Sequence, residues 1–233
     1  MKKKLLVIIP CFNEEASIAQ LLTELTHLQL PYEINIAVVN DCSTDNTISV
    51  ARQFDVKILN LVVNLGIGGA VQTGYKYANR NGYELAVQMD GDGQHPAAEL
   101  SKLLKHQEQT RANVVIGSRF LLKQGFQSSA LRRRGIAYFY RLNQLLTGKR
   151  IVDITSGFRL FDKQAIAFAA ENYPDEYPEP ESLVMFAKAG LHIEEIPVVM
   201  KNRQGGQSSI RSLSSIYYMI KVTLAMFFAY IRK

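Results

Sequence analysis

The sequence predicts a doubly wound α/β domain, a mostly parallel sheet flanked by helices. Three observations carry that prediction. Short Val- and Ile-rich runs, each ending in a polar cluster, recur along the first half of the chain, as buried parallel strands do. Stretches of helical period lie between them. The 233 residues, 47% hydrophobic and 21% charged, have the balance of one ordinary globular domain, which excludes disorder, collagen-like repeats and a coiled coil.

Taken in order, the first strand is expected at Leu5 to Ile9, followed by a helix from Glu14 to Leu28 with Ile18, Leu21, Leu22 and Leu25 on one face. A second strand follows at Ile34 to Val39, a helix at Gly69 to Arg80 and a strand at Leu85 to Met89. Pro96 opens a helix that runs to Glu108, and Val114 to Ile116 is the next strand. Beyond residue 120 the pattern changes to a basic stretch, LRRRGIAYFYRLNQLLTGKR, a Gly/Ser turn at DITSGFR, a Pro/Glu-rich segment YPDEYPEPE and a short strand at His192 to Val198. No linker composition separates this half, so it is read as an elaboration of the core.

The tail from Leu213 to Lys233 is expected to be an amphipathic helix. Its mostly apolar run, 216 to 231, is interrupted by Lys221 and falls short of the roughly 20 residues that span a bilayer. On a helical wheel Leu213, Tyr217, Ile220, Leu224, Phe227, Phe228 and Ile231 share one face, and Ser214, Lys221, Ala225 and Arg232 share another. Two readings stand: a helix docked on the domain's own core, or one that meets a membrane surface or a membrane-protein partner, for which the flanking basic residues speak.

The net charge is +6, mild for a nucleic-acid binder, and it leaves a phosphate-rich or anionic-membrane partner open. Cys11 and Cys42 are too few for a disulfide framework, and MKKKLLVIIPCFNEE turns polar too early for a signal peptide. The expected location is therefore the cytosol.

Ligands of doubly wound sheets sit beyond the carboxyl ends of the strands, and here those ends are acidic. In QMDGDGQHP, Asp90 and Asp92 would point to opposite faces of a straight strand. Gly91 and Gly93 let the chain turn so that both converge, and paired carboxylates suit Mg²⁺ or Mn²⁺, with Gln94 as a neutral oxygen and substrate phosphate completing the shell. His95 follows as a candidate to support the ligands without joining them. Asp41, in VVNDCSTDNT, is placed to accept hydrogen bonds from a base or ribose. Asp45 is equally a helix cap or a ligand. The glycines of NLGIGGA, residues 64–70, offer free amides before a helix but do not match the dinucleotide fingerprint. Asp153, Ser156 and Arg159 of DITSGFR either shape an acceptor site or form a structural turn. Glu179 and Glu181 are a base for a hydroxyl acceptor, sugar-orienting groups or solvated loop residues. No His/Cys spacing suggests zinc, and both thiols read as strand-end residues rather than nucleophiles.

The set PCFNEE (10–15), NDCSTD (40–45), NLGIGGA (64–70), DGDGQHP (90–96), GSRF (117–120) and TSGFR (155–159) resembles, in register over about residues 4 to 210, the family 2 glycosyltransferases of the GT-A fold. The likeness is to polyprenyl-phosphate glycosyltransferases similar to dolichyl-phosphate mannose synthase. The resemblance implies a catalytic domain over 1–210 and a membrane-surface or partner-binding helix over 211–233. It places Pro10, Phe12, Asn13, Glu14, Asp41, Asn64, Gly68 and Asp90 around a nucleotide sugar, and Asp90, Asp92 and Gln94 on the metal. It places Arg119, Arg132, Arg133 and Arg134 at the acceptor phosphate and Arg203 on a loop that closes over the diphosphate. Asp92, Arg119 and Glu181 are the expected catalytic groups. Asn40, where the family often has Asp, Phe12 in place of Tyr, and Gly135-Ile136 where a Ser is common, are departures that touch the fine acceptor contacts.

The implied activity is inverting, metal-dependent transfer of a hexose or N-acetylhexosamine from a nucleotide-diphosphate sugar to polyprenyl phosphate, for cell-envelope polysaccharide. UDP-glucose or UDP-N-acetylglucosamine is expected ahead of GDP-mannose. The location is peripheral at the cytoplasmic face of the membrane, with a small integral membrane protein or a second copy as further partners and no nucleic acid. The rival readings are transfer to a saccharide hydroxyl and a nucleotide- or RNA-binding module without turnover.

Overall fold

A computed structural model of the chain describes residues 2–122, 130–201 and 214–232. Its sheet is built around β1 (Lys3–Cys11), whose last seven residues are all buried. Leu5, Val7 and Ile9 face one core cluster while Leu6 and Ile8 face the other, which is the two-sided burial that a period of two produces when helices cover both faces. β2 (Tyr32–Asn40) and β4 (Leu85–Gln88) flank β1 in parallel, and β3 (Lys57–Asn60) extends β2. On the other side, β6 (Arg159–Asp162) runs antiparallel to β4 and to β5 (Val114–Ser118), and β7 (Ile193–Pro197) pairs parallel with β5. The order is β3-β2-β1-β4-β6-β5-β7, so the predicted doubly wound, mostly parallel sheet is present with one reversed strand.

Helix α1 (Ile18–Thr26) buries the four residues that its period singled out, Ile18, Leu21, Leu22 and Leu25. It starts later than Glu14 because residues 14–17 form a turn, in which the Ser17 and Ile18 amides bond to the Glu14 carbonyl at 3.1 and 3.0 Å. A short α2 (Thr47–Ala51) follows β2, and α3 (Gly66–Arg80) follows β3. The α3 helix crosses β1 so closely that a Cβ on Gly74 would lie 2.2 Å from Ile8 Cγ2. The Pro96 helix resolves into a 3₁₀ turn at Ala97–Glu99 and α4 (Leu100–Thr110).

In the second half, the basic stretch is helical as part of α5 (Ala130–Thr147), α6 (Lys163–Asn172) follows β6, and the Pro/Glu-rich segment opens α7 (Pro178–Lys188) with a proline in its first turn. That position suits proline, whose missing N–H is one of the unpaired donors of a helix start. The strands β3 and β6, four residues each, were not expected, because KILN and RLFD are too short to show a period.

The tail is helix α8 (Ser214–Ile231). Val222 and Met226 are fully buried and Ala229 nearly so, in the same cluster as residues of α5 and α7. Lys188 closes the helix end by donating to the Ala229, Tyr230 and Arg232 carbonyls. The stripe read from the sequence is the opposite face: Tyr217, Ile220, Leu224, Phe227, Phe228 and Ile231 are all about half exposed, while Leu213 lies outside the described residues. The helix therefore docks by one apolar face and shows another. No helix among the described residues is long and apolar enough to cross a membrane.

Candidate active site at the carboxyl ends of the strands

The loops after β1, β2 and β4 converge, and they are tied to one another by side chain to backbone hydrogen bonds. Asp41 N–H continues the sheet to the Cys11 carbonyl at 2.9 Å. Asn13 adopts φ 59°, a left-handed conformation that asparagine tolerates. There its N–H donates to Ser43 Oγ at 3.1 Å and its Oδ1 accepts from Thr44 N–H at 2.8 Å. Glu14 N–H donates to Thr47 Oγ1 at 2.8 Å. Glu15 completes the exchange: its N–H donates to Asp45 Oδ2 at 3.1 Å, and its own carboxylate accepts from Asn46 N–H at 2.9 Å.

Asp45 is thus spent on loop and helix start, since its Oδ1 also accepts from the Thr47 amide and hydroxyl. Burial alone would raise its pKa, but the Thr47 hydroxyl and the Thr47 and Glu15 amides outweigh it and hold the carboxyl below its ordinary range. Asp41, almost fully buried, accepts from Leu65 N–H at 2.7 Å, while Asn64 Nδ2 donates to the Asp41 carbonyl at 3.0 Å. Phe12 stands 51% exposed at the end of β1 beside buried Pro10. Gly68 lies deeper than a ligand-facing residue: a Cβ there would meet the Pro174 carbonyl at 2.1 Å, so its smallness serves the packing of α3.

Beyond β4 the chain turns through DGDG. Gly93 takes φ 74°, and Gly91 packs so tightly that a Cβ would lie 2.9 Å from Cys11 Sγ, while its carbonyl accepts from Ser17 Oγ at 2.7 Å. The turn leaves Asp90 about one-third exposed and Asp92 buried, with Asp92 Oδ1 accepting from Gln94 N–H at 2.9 Å. Behind Asp90, Tyr173 donates to Gln88 Oε1 at 3.2 Å and Gln88 Nε2 approaches Asp90 Oδ1 at 3.4 Å. A Cβ on Gly157 would stand 2.9 Å from Asp90 Oδ1, so this glycine lets the TSGFR loop lie against the carboxylate.

The donor set suits a hard divalent ion. Two carboxylates and a nearby amide are the oxygen ligands that Mg²⁺ and Mn²⁺ take when water and substrate phosphate fill the other positions. Asp90 offers an accessible oxygen, and Asp92 is buried in the same turn. Among the described residues no group of three or more His, Cys, Asp and Glu side chains is arranged to hold a metal.

The opposite side of the site is built on buried arginines. Arg119 makes a two-point pair with Asp153, Nε to Oδ2 at 2.7 Å and Nη2 to Oδ1 at 2.6 Å, and also donates to Thr155 Oγ1 at 2.9 Å. Burial works against its charge, but Asp153 outweighs this and raises its pKa. Asp153 is itself held by Glu195 of β7, which accepts from the Val152 and Asp153 amides at 2.7 and 2.6 Å. Arg159, with no exposed surface, donates to the Ser156 carbonyl at 2.7 Å, to the Ile154 and Glu179 carbonyls at 3.0 and 2.9 Å, and to Ser182 Oγ at 2.9 Å. It pins the TSGFR loop to the first turn of α7. Arg159 is therefore structural, while Arg119 anchors the 153–155 loop through Asp153.

The two α7 glutamates part company. Burial raises the Glu179 carboxyl above its ordinary value; Arg159 lowers it and Asp90 raises it further, while the Glu179 carbonyl accepts from Arg159 at 2.9 Å. Glu181, expected as a catalytic group, is surrounded instead by Asp175, Arg232 and Glu176, on the α8 side. Arg132, Arg133 and Arg134 lie in the first turns of α5, with side chains outside the described residues, and Arg203 lies outside them altogether. Gln88, Tyr173, Ser182 and Glu195 were not foreseen. Gln88 is a polar residue inside an apolar run, which is a signal in retrospect, whereas Glu195 gave none.

The family model for glycosyl transferase family 2 matches residues 6–168. A UDP-N-acetylglucosamine–dolichyl-phosphate N-acetylglucosaminyltransferase of Methanococcus voltae is 29% identical over 219 residues, 84% of this chain and 85% of that protein. An undecaprenyl-phosphate mannosyltransferase of Micrococcus luteus is 29% identical over 220 residues, covering 89% and 87%. Glucosyl-3-phosphoglycerate synthase from Mycobacterium tuberculosis, crystallised with Mn²⁺, UDP and glucosyl-3-phosphoglycerate, superposes with a TM-score of 0.68 at 17% identity over 98% of this chain and 80% of that one. S. aureus TarS 1-349 in complex with UDP gives 0.64 at 19% over 97% of this chain, which spans 65% of that longer one. At such identities the structural likeness is one of fold, and the fold is GT-A.

Proposed function

Because the chain belongs to glycosyl transferase family 2, we propose that it moves a hexose or N-acetylhexosamine, with inversion, from a nucleotide-diphosphate sugar to polyprenyl phosphate at the cytoplasmic face of a membrane. The reading is carried by one observation. The chain matches, over more than four-fifths of its length, two relatives whose names specify a polyprenyl-phosphate acceptor. A UDP-sugar is the favoured donor, and a lipid-linked product suits cell-envelope polysaccharide synthesis.

In this reading Phe12 and Asp41 flank the base and ribose. The charge of a Mg²⁺ or Mn²⁺ ion held by Asp90, Asp92 and Gln94 would offset the charge that develops on the departing diphosphate. The acceptor phosphate oxygen is already anionic near neutral pH and attacks the anomeric carbon from the side opposite the leaving group, so no general base is needed. Arg119, held cationic by Asp153, draws the lipid phosphate in this reading, together with Arg132–Arg134. The exposed stripe of α8, flanked by Lys221 and Arg232, rests on the membrane surface; a small integral membrane protein or a second copy is the other occupant to test.

The experiment is transfer from labelled UDP- and GDP-sugars to undecaprenyl phosphate in detergent, with Mn²⁺, with Mg²⁺ or with chelator, and with Asp92→Asn as control. A metal-dependent lipid product that the variant fails to make is expected. Donor turnover that never labels lipid would sink the lipid acceptor. A second reading, transfer to a saccharide hydroxyl, is favoured by Glu179, a half-buried residue whose carboxyl is raised in part by the Asp90 charge and would serve as base. It requires Glu179→Gln to abolish transfer while donor binding survives.

A further inference from the structure

We propose that His95 is the positioning residue that sets the direction of Asp90. This rests on the role given to Asp90 above and goes beyond it by naming what holds that carboxylate in place. The sheet bonding of β4 ends at Met89, whose N–H reaches the Ile8 carbonyl at 3.0 Å. The next amide turns off the ladder, and Asp90 N–H donates to His95 Nδ1 at 3.0 Å. His95 is only 4% exposed.

Since Nδ1 accepts, the ring proton sits on Nε2, which lies 3.9 Å from Asp90 Oδ2. One imidazole thus faces both the amide and the carboxylate of the same aspartate. The ring is fixed in turn by Phe158, on which it stacks with centroids 5.1 Å apart and planes 18° from parallel. Phe158 is fully buried and follows Gly157, the residue that lies against the Asp90 carboxylate. His95 is therefore the joint between the donor-side turn and the acceptor-side loop, and its displacement would shift Asp90 relative to both.

The test has two arms. In the wild-type protein, the ¹⁵N spectrum of the imidazole reads the tautomer directly: a proton on Nε2 with a bare, hydrogen-bonded Nδ1 is expected, and a neutral ring protonated on Nδ1 overturns the proposal. In the second arm, Mn²⁺ affinity is measured by electron paramagnetic resonance with UDP present. His95→Asn offers Oδ1 where Nδ1 was and keeps the affinity within about threefold, whereas His95→Leu loses about tenfold or more, the usual scale for groups that orient metal ligands.

Equal affinity in all three proteins, or an Asn variant as weak as the Leu variant, overturns the proposal. Should His95→Leu fail to fold, the Asn variant and the ring spectrum still decide it. Should the wild-type protein bind no Mn²⁺ with UDP, the functional reading fails, and the ring spectrum alone judges His95.

Discussion

The two sides of the site are held by different physics. On the side of the loops after β1 and β2, polar side chains and backbone amides exchange hydrogen bonds, Asn13, Glu15 and Asp45 each bonding across loops, and the Ser17 hydroxyl ties in the loop after β4 through the Gly91 carbonyl. On the other side, two guanidinium groups at or near full burial, Arg119 and Arg159, organise a loop and a helix start. The first arrangement leaves Asp90 about one-third exposed. The second makes stability depend on charged groups that have few alternatives to their present partners. Substitutions on the two sides should therefore fail in different assays.

The largest effect is expected at Arg159. Replacing it with Met removes the donor to three carbonyls and Ser182 Oγ at once and should cost about 4 kcal/mol of unfolding free energy, read from urea denaturation, since each stranded acceptor costs about 1–3 kcal/mol and some will find water. A variant as stable as the parent would break the contrast at its root. Asp90→Asn tests the other side: transfer should fall about 100-fold, or 2.7 kcal/mol at 1.36 kcal/mol per decade, while the urea midpoint stays where it was. A large drop in stability there would show that the DGDG turn is as structural as the loop that Arg159 holds.

The same contrast explains what could be read in advance. PCFNEE, NDCSTD and DGDGQHP are contiguous because each is a single strand-end loop, so their chemistry is local and legible. The arginine side joins residues 119 with 153, 159 with 179 and 182, and 153 with 195, and no local pattern announces such pairings. The reversed strand β6 brings them together, and at four residues it left no period to find. The tail shows the same limit: its period gave an apolar stripe but could not say that the helix also has a second, docked apolar face at Val222 and Met226.

That exposed stripe sharpens the comparison further, since it should matter to neither stability nor the donor. Phe227→Ser with Phe228→Ser, both about half exposed, should change unfolding free energy by less than about 0.5 kcal/mol. Binding to vesicles of anionic phospholipid should weaken about tenfold or more, because partly buried phenyl rings contribute roughly 1–2 kcal/mol each to interfacial insertion. Unchanged sedimentation with vesicles would remove the membrane role of α8 and leave a protein partner for the stripe.

The smallest effect separates the two α7 glutamates. Burial, with Asp175 and Glu176 nearby and Arg232 opposing them, raises the Glu181 carboxyl above its ordinary value. In the interval between the unfolded and native values the native state holds a proton that the unfolded chain has released, so the favourable contribution is complete at lower pH and is lost as pH rises through the native value. Glu181→Gln should flatten that decline and raise stability at neutral pH by a few tenths of a kcal/mol, with transfer unaltered, because its neighbours are those of α8 and not of the site. Glu179→Gln should instead register in transfer, through its proximity to Asp90 and Arg159: a modest loss if the glutamate only orients the sugar, and complete loss if it is the base for a hydroxyl. Should Glu181→Gln be the variant that loses transfer, the acceptor would have to approach from the α8 side, and the division of the site into a local donor half and a long-range acceptor half would need redrawing around that helix.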